Sequence, residues 1–384
     1  MRFPGFEGEW DKLKVRDFTR VVAGATPATD KKEYWGGVIR WMNSGELNLK
    51  RVYEVQGRIT QLGYDKTSTK IIPPHSVLIG LAGQGKTRGT AAMNYVELCT
   101  NQSIASILPS DSFYPEFLYQ NVESRYKELR DISSGDGGRG GLNLQMIYNL
   151  YIPHCSMQEQ KKIGDFLYLL DQRIAIQNKV IEDLKKLKTA LEERMLGQCQ
   201  GKQVRLRDIL IERVEKSRIN NQYEVLSSTV SGIYSQREYF NKEIASADNT
   251  GYKAIHRGDV VLSPQNLWMG NINYNDRFEI GIVSPSYKVF SIDEKFDKGY
   301  IAFLLKTRKA LWAYSLVSEQ GASIVRRNLN YESFLEISFV IPSLKEQQAT
   351  ARRLSAFKQK HTMEEAFLRS LLLQKEFMLK SLFI

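Results

Sequence analysis

Residues 156–197 read SMQEQKKIGDFLYLLDQRIAIQNKVIEDLKKLKTALEERMLG, with no proline and only Gly164 ahead of the closing Gly197. Apolar residues recur at alternating steps of three and four: Ile163, Leu167, Leu170, Ile174, then Ile181, Leu184, Leu191 and Met195. Gln177 and Lys188 fill the two remaining positions. A 3.5-residue repeat held over four heptads gives a long helix one narrow apolar seam, and such a seam requires a partner helix. At 1.5 Å per residue the helix is roughly 63 Å long, more than a compact domain needs. An ordinary core helix seldom runs so far without caps.

The partner lies in the same chain. Shifted by 187 residues, the seam returns as Leu354, Phe357, His361, Glu364, Leu368, Leu371, Lys375, Met378 and Leu382. Ile152-Pro153 followed by Glu159-Gln160 matches Ile341-Pro342 followed by Glu346-Gln347. Leu142-Asn143 matches Leu329-Asn330, and Val15-Arg16-Asp17-Phe18 matches Leu206-Arg207-Asp208-Ile209. The chain is a tandem duplication of a globular domain followed by a long helix. The expected organisation is a domain over 1–155, a spacer helix over 156–199, a second domain over 200–343 and a second helix over 344–384. The order domain, helix, domain, helix predicts that the seams pack antiparallel. The packing residues are Leu167, Leu170, Ile174, Ile181, Leu184 and Leu191 against Leu354, Phe357, Leu368, Leu371, Met378 and Leu382. The fold class is α+β: two similar mixed α/β domains separated by two coiled-coil helices, related by a pseudo-twofold.

A length of 384 residues suits two ordinary domains plus connecting helices, and 42% hydrophobic content is that of a folded protein. The net charge of +11 favours a polyanionic partner, with nucleic acid the default. Cys99, Cys155 and Cys199 are odd in number and scattered, which argues against disulfides and a structural zinc site and for a reducing compartment. The start MRFPGFEGEW has no apolar signal core and no apolar run reaches membrane-spanning length, so a cytoplasmic location is expected.

Within the first domain, β-rich runs fall at Val38–Trp41, Arg51–Val55, Ser76–Ile79 and Ser103–Leu108, each bounded by turn formers. Tyr114-Pro115-Glu116 opens a helix through Phe117, Leu118, Val122 and Tyr126, and a glycine-rich loop follows over 133–141. In the second domain Gly258–Ser263 mirrors His75–Gly80, Ile280–Ile292 is strand-like, Lys298–Ala313 has helical period, and Ser318–Ser323 reads as a loop.

Gly80-Leu81-Ala82-Gly83-Gln84-Gly85-Lys86-Thr87 fits the P-loop pattern and follows an apolar strand. In a nucleotide hydrolase its amides would cradle phosphate, Lys86 would reach the terminal phosphates and Thr87 would bind magnesium. Against this, Gly89 interrupts the helix that should begin at once. No apolar strand ending in Asp or Glu follows outside the heptad helix, and the strand–helix alternation of a parallel sheet is missing. A P-loop ATPase remains the alternative reading. Gly135–Gly140 fits a dinucleotide fingerprint only without βαβ context. No carboxylate pair, Ser/His/Asp set, metal cluster or adenine-methyltransferase motif is found, which favours a binding subunit over an enzyme.

The nucleic-acid reading has positive content. Gln84, Lys86 and Arg88 lie on a glycine-rich loop, and the matching place in the second domain carries Gln265, Asn266, Trp268 and Asn271. Arg139 and Asn143, and in the second half Arg326, Arg327 and Asn328, precede each long helix. Arg, Lys, Gln and Asn are the side chains that read base edges and hold phosphates. A plain coiled-coil scaffold for proteins is the third class, separated from the first by salt-dependent binding to duplex DNA.

The chain resembles the specificity subunit of type I restriction-modification systems. The resemblance rests on the Ile-Pro…Glu-Gln starts of both helices, on Phe3-Pro4-Gly5-Phe6…Trp10 and on Tyr34-Trp35-Gly36-Gly37…Arg40-Trp41, and it covers essentially the whole chain. It implies that each domain reads one half of a split DNA site, while the helices set the gap and dock methyltransferase subunits, two in number. It implies no catalysis and no cofactor in this chain. The methyltransferase and restriction/translocase partners would use S-adenosylmethionine, ATP and magnesium.

Overall fold

The computed structural model describes residues 2–83, 85–133, 140–240, 248–320 and 326–383. They form two compact units, Met1–Asn178 with Ala366–Ile384, and Lys179–Glu365. The first unit runs β1 (Asp11–Lys14), α1 (Val15–Phe18), β2 (Val21–Ala23), β3 (Trp35–Met42), β4 (Arg51–Val52), β5 (Arg58–Ile59) and α2 (Gln61–Asp65). There follow β6 (Val77–Gly80), β7 (Ala91–Asn94), β8 (Cys99–Thr100), β9 (Ile104–Ile107), α3 (Pro115–Ser124), α4 (Tyr126–Ile132), α5 (Leu144–Tyr148) and β10 (Tyr151–His154). The long helix α6 spans Met157–Gly197.

The second unit begins with β11 (Lys202–Arg205), α7 (Leu206–Ile209), β12 (Leu210–Glu212), β13 (Leu226–Thr229), β14 (Gly232–Ser235), α8 (Gln236–Phe240) and β15 (Lys253–His256). It continues through β16 (Val260–Leu262), a 3-10 segment at Pro264–Met269, β17 (Ile272–Tyr274), β18 (Ile280–Val283) and β19 (Lys288–Ile292). It closes with α9 (Lys298–Leu304), α10 (Arg308–Leu316), β20 (Ser318–Gln320), β21 (Arg327–Leu329), α11 (Tyr331–Glu336) and β22 (Ser338–Ile341). The second long helix, α12, covers Leu344–Leu382.

One framework is built twice. The main sheet of the first unit has the order β2-β9-β6-β7-β4, and that of the second β12-β19-β16-β17. Four strands therefore recur in the same order, and each shared neighbour pair is antiparallel. β1 pairs with β10 as β11 pairs with β22, so the strand that opens each domain meets the strand that leads into its long helix. Asn143 and Asn330 each cap the short helix before that strand, accepting from Met146 N at 2.9 Å and Ser333 N at 3.0 Å.

A buried glutamine joins each long helix to its domain. Gln160 donates to Cys155 O at 2.9 Å and to Ser112 O at 3.1 Å, and accepts from Tyr114 N, the N-cap of α3, at 2.9 Å. Gln347 donates to Pro342 O at 2.9 Å and accepts from Asp297 N, the N-cap of α9, at 2.9 Å. Each carboxamide is used on both sides, as a buried polar group must be.

The core of the first unit takes Ile163 and Leu167 from the start of α6 and Leu382 from the end of α12. The core of the second takes Leu196 from the end of α6 and Ala351 and Leu354 from the start of α12. In each unit the helices therefore run antiparallel. The contacts of the first unit show it directly: Asp171 meets Lys375 at 2.6 Å, while Arg173 lies 5.7 Å from the ring of Phe367. Every seam position from Ile163 to Met195 and from Leu354 to Leu382 is buried or half-buried, Gln177 and Lys188 included.

Three sequence expectations are corrected. The period over Lys298–Ala313 is split into α9 and α10, because the Thr307 hydroxyl accepts from Ala310 N at 3.2 Å and starts a new helix. The strand expected over Arg51–Val55 stops at Val52. Ser318–Gln320, read as loop, is a strand paired with Arg327–Leu329.

Candidate nucleic-acid interface

The P-loop-like segment connects β6 to β7, which pair antiparallel through Val77↔Met93, Leu78↔Ala92 and Ile79↔Ala91. The chain turns back as a strand where a nucleotide hydrolase needs a helix N-terminus to hold phosphate. The loop closes on itself: Gly89 N donates to Gly80 O at 2.9 Å, and Gly80 N donates to Thr90 O at 3.0 Å. A Cβ at Gly80 would lie 2.2 Å from Thr87 O, so the glycine is demanded by this tight closure rather than by a bound phosphate.

The loop is held from below by α4. Arg130 donates to Gly85 O at 2.7 Å and to the Tyr126 hydroxyl at 3.1 Å, on the i, i+4 face of one helix. Arg88 donates to Gly140 O, and Leu142 N donates to Leu81 O at 2.9 Å. The loop between β6 and β7 thus sits against the segment that enters α5. Lys86 is exposed and Arg88 half-buried. Gln84 and Arg139 lie outside the described residues. Asn143 is exposed, and its Oδ1 caps α5 by accepting from Met146 N.

The second unit repeats the placement. The 3-10 segment Pro264–Met269 links the antiparallel β16 and β17 and ends at Gly270, which has φ +88° and would place a Cβ 2.7 Å from Leu311. Beside it stands the β20–β21 hairpin. The Arg327 guanidinium lies 4.1 Å from the centroid of the Trp268 ring. Gln265 is exposed and Asn266 half-buried. Arg326 and Asn328 are exposed and Arg327 half-buried, the alternation expected of a strand with one face on the protein.

Asn271 is a correction. It is 4% exposed, accepts from the Ser228 hydroxyl at 2.7 Å and donates to Ser228 O at 3.0 Å. Both ends of its carboxamide are consumed inside the domain, so no group is left for a base. Sequence reading missed Lys306, whose ammonium donates to Gly270 O at 2.8 Å and Val230 O at 3.2 Å and so pins the end of the 3-10 segment. Burial pulls its pKa down to about 8. Arg130 was missed as well, and its only signal was the spacing from Tyr126.

In both units, then, the loop joining the third and fourth strands of the shared sheet meets a segment just before the long helix. Each site carries cationic side chains and an aromatic ring under an arginine: Tyr126 with Arg130 at 5.6 Å, Trp268 with Arg327 at 4.1 Å. Among the described residues no group of three or more His, Cys, Asp or Glu side chains could hold a metal ion. No helix among them is long and apolar enough to cross a membrane.

Residues 7–186 match the family described as the type I restriction modification DNA specificity domain. The match covers just under half of the chain. Over 184 residues the chain is 32% identical to the type I restriction enzyme MjaIX specificity subunit of Methanocaldococcus jannaschii, covering 47% of this chain and 42% of that protein. Over 181 residues it is 23% identical to the EcoR124I/EcoR124II specificity subunit of Escherichia coli, covering 46% of this chain and 44% of the relative. The chain thus spans less than half the length of the curated relatives it matches. The crystal structure of a type I restriction-modification S subunit from M. genitalium superposes with a TM-score of 0.60 at 16% identity, covering 98% of this chain and 96% of the other. At that identity the likeness is one of fold, and it takes in both halves.

Proposed function

We propose that this chain is the DNA-specificity subunit of a type I restriction-modification complex, each unit reading one half of a split site. The observation that carries the reading is the duplicated framework with a matching loop site in each copy. The specificity domain over residues 7–186 and the net charge of +11 support it. Phosphate contacts from the basic loops would supply affinity, and the amide and guanidinium groups would supply sequence choice.

The long helices, each of which contributes to both units, act as the spacer that sets the gap between half-sites. Two readers on one strut bind together only where the spacing fits, which raises affinity without new contacts. Outward positions on the helices, Leu169, Ile176, Leu187, Met363, Leu373 and Phe377, are exposed and apolar and suit the docking of two methyltransferase subunits. Those partners and the restriction/translocase subunits supply S-adenosylmethionine-, ATP- and magnesium-dependent chemistry in the cytoplasm. This chain contributes recognition and no catalysis.

Sequence selection from random duplex DNA, with the methyltransferase partner present, tests the reading. Two short defined blocks separated by a fixed unspecified gap are expected, with affinity falling steeply as salt rises. A single contiguous block, or no selection, contradicts it. Methyl transfer or ATP turnover by the purified chain, abolished by Lys86→Ala, would restore the enzyme alternative.

A further inference from the structure

We infer that Arg327, held against the ring of Trp268, reads a guanine in the half-site of the second unit. The inference rests on the DNA reading above and assigns a base class and a reading residue to that site. Arg327 opens the short strand β21 and lies against Trp268, while Arg326 before it and Asn328 after it are exposed. Its guanidinium lies 4.1 Å from the indole centroid. Contact with the ring restricts the freedom of the long side chain.

Among the described residues no carboxylate pairs with Arg327, in contrast to Arg51, Arg213 or Arg277, each of which meets an acidic side chain within 3.0 Å. Its Nε is buried without a hydrogen-bond partner, and so is Oδ1 of Asn266 on the neighbouring segment. A donor and an acceptor left unpaired on adjoining elements are costly in the free protein unless a ligand completes them. The 3-10 segment that carries Trp268 also carries the neutral amides Gln265 and Asn266. Amide side chains beside a guanidinium suit a base edge. Guanine presents O6 and N7 side by side in the major groove, the acceptor pair that a guanidinium fork meets with two parallel hydrogen bonds.

The test is sequence selection with the assembled complex of full-length chain and methyltransferase partner, comparing the parent with Arg327→Lys and Trp268→Phe. The parent is expected to require guanine at one position of one half-site. Arg327→Lys keeps the charge but loses the fork. It should relax that position alone by roughly 5- to 150-fold, with the other half-site unchanged and the melting temperature of the chain preserved. Trp268→Phe should relax the same position less. If Arg327→Lys retains the guanine requirement, the inference is overturned. It is also overturned if Arg327→Ala weakens binding evenly across sequences and lowers the salt slope by about one, the mark of a phosphate contact. In that case the DNA reading survives. If the parent complex selects no sequence at all, the proposed function falls and this inference with it.

Discussion

Lys375 and Lys188 occupy the same place in the repeated seam, and their surroundings predict different energetic weights. The Lys375 ammonium lies 2.6 Å from Asp171 and 2.9 Å from Glu123, with side-chain exposures of 15% for the lysine and 17% for each carboxylate. Asp171 is further held by Arg51 at 2.8 Å, which also grips Glu116 at 2.6 Å. This network joins the globular part of the first unit to both long helices. Lys188 has one partner, Glu192 of its own helix at 3.5 Å, and is 41% exposed. Removing one partner of a buried ion pair costs about 3–5 kcal/mol, because the remaining charge stays buried. The residual exposure puts Lys375→Met near the lower end, about 3 kcal/mol. For a unit of this size each kcal/mol shifts the melting temperature by about 2–4 °C, so a fall of about 6–12 °C is expected. Lys188→Met should cost less than about 0.5 kcal/mol, as exposed pairs usually do. Burial alone would lower the pKa of Lys375, but Glu123 and Asp171 outweigh it and raise the value above the ordinary one. The contribution is therefore complete below the unfolded pKa of about 10.4 and is lost only as pH rises through the higher folded value. Calorimetric melting of the purified variants decides the matter. Equal shifts for the two lysines, or a cost under about 1 kcal/mol for Lys375→Met, refute the reasoning.

Gln160→Ala and Gln347→Ala should each cost about 1–3 kcal/mol, since each strands the N-cap amide of α3 or α9 and a helix-start carbonyl; urea unfolding midpoints measure this. Lysine side-chain NMR should show one ammonium titrating near pH 8 that is absent from Lys306→Met. Because the folded chain gives up this proton before the unfolded one, stability should rise between roughly pH 8 and 10.4, and a midpoint near the ordinary value would contradict the burial described. ATP with magnesium should leave the melting temperature unchanged, whereas Lys86→Ala should lower the salt slope of DNA binding by about one. Stabilisation by ATP that Lys86→Ala removes would contradict the hairpin reading of that loop.

The long helices were legible because a seam needs only the spacing of apolar residues, and spacing survives when residue identity does not. The polar seam positions Gln177 and Lys188 keep the period, Gln177 buried and Lys188 half-buried. The shared sheet was less legible. Its strands are three to five residues long, and their apolar residues are buried on both faces, so no alternation marks them. The turn before each central strand shows the limit: His75 and Gly258 both have positive φ, at 65° and 93°, yet share no identity. Within the candidate site, residue type pointed to two loops that the fold places alike, but could not tell an outward side chain from a brace. Asn271 and Asn143 have the chemistry to meet a base, and the fold spends them on Ser228 and on a helix cap. Lys306 gave no signal because its partners are backbone carbonyls brought close only by folding.

Spacing is the quantity on which the account turns, and it can be changed directly. Three heptads inserted after Asn178 and three after Glu365 preserve both seams and lengthen each helix by about 31.5 Å. That is close to one turn of duplex DNA, about 34–36 Å or 10–10.5 base pairs, so lengthened units can again face the same side of the duplex. Selection on random DNA should then return the same two half-sites with the gap enlarged by about nine or ten base pairs. An unaltered gap, with both half-sites still selected, would show that the helices do not set the distance.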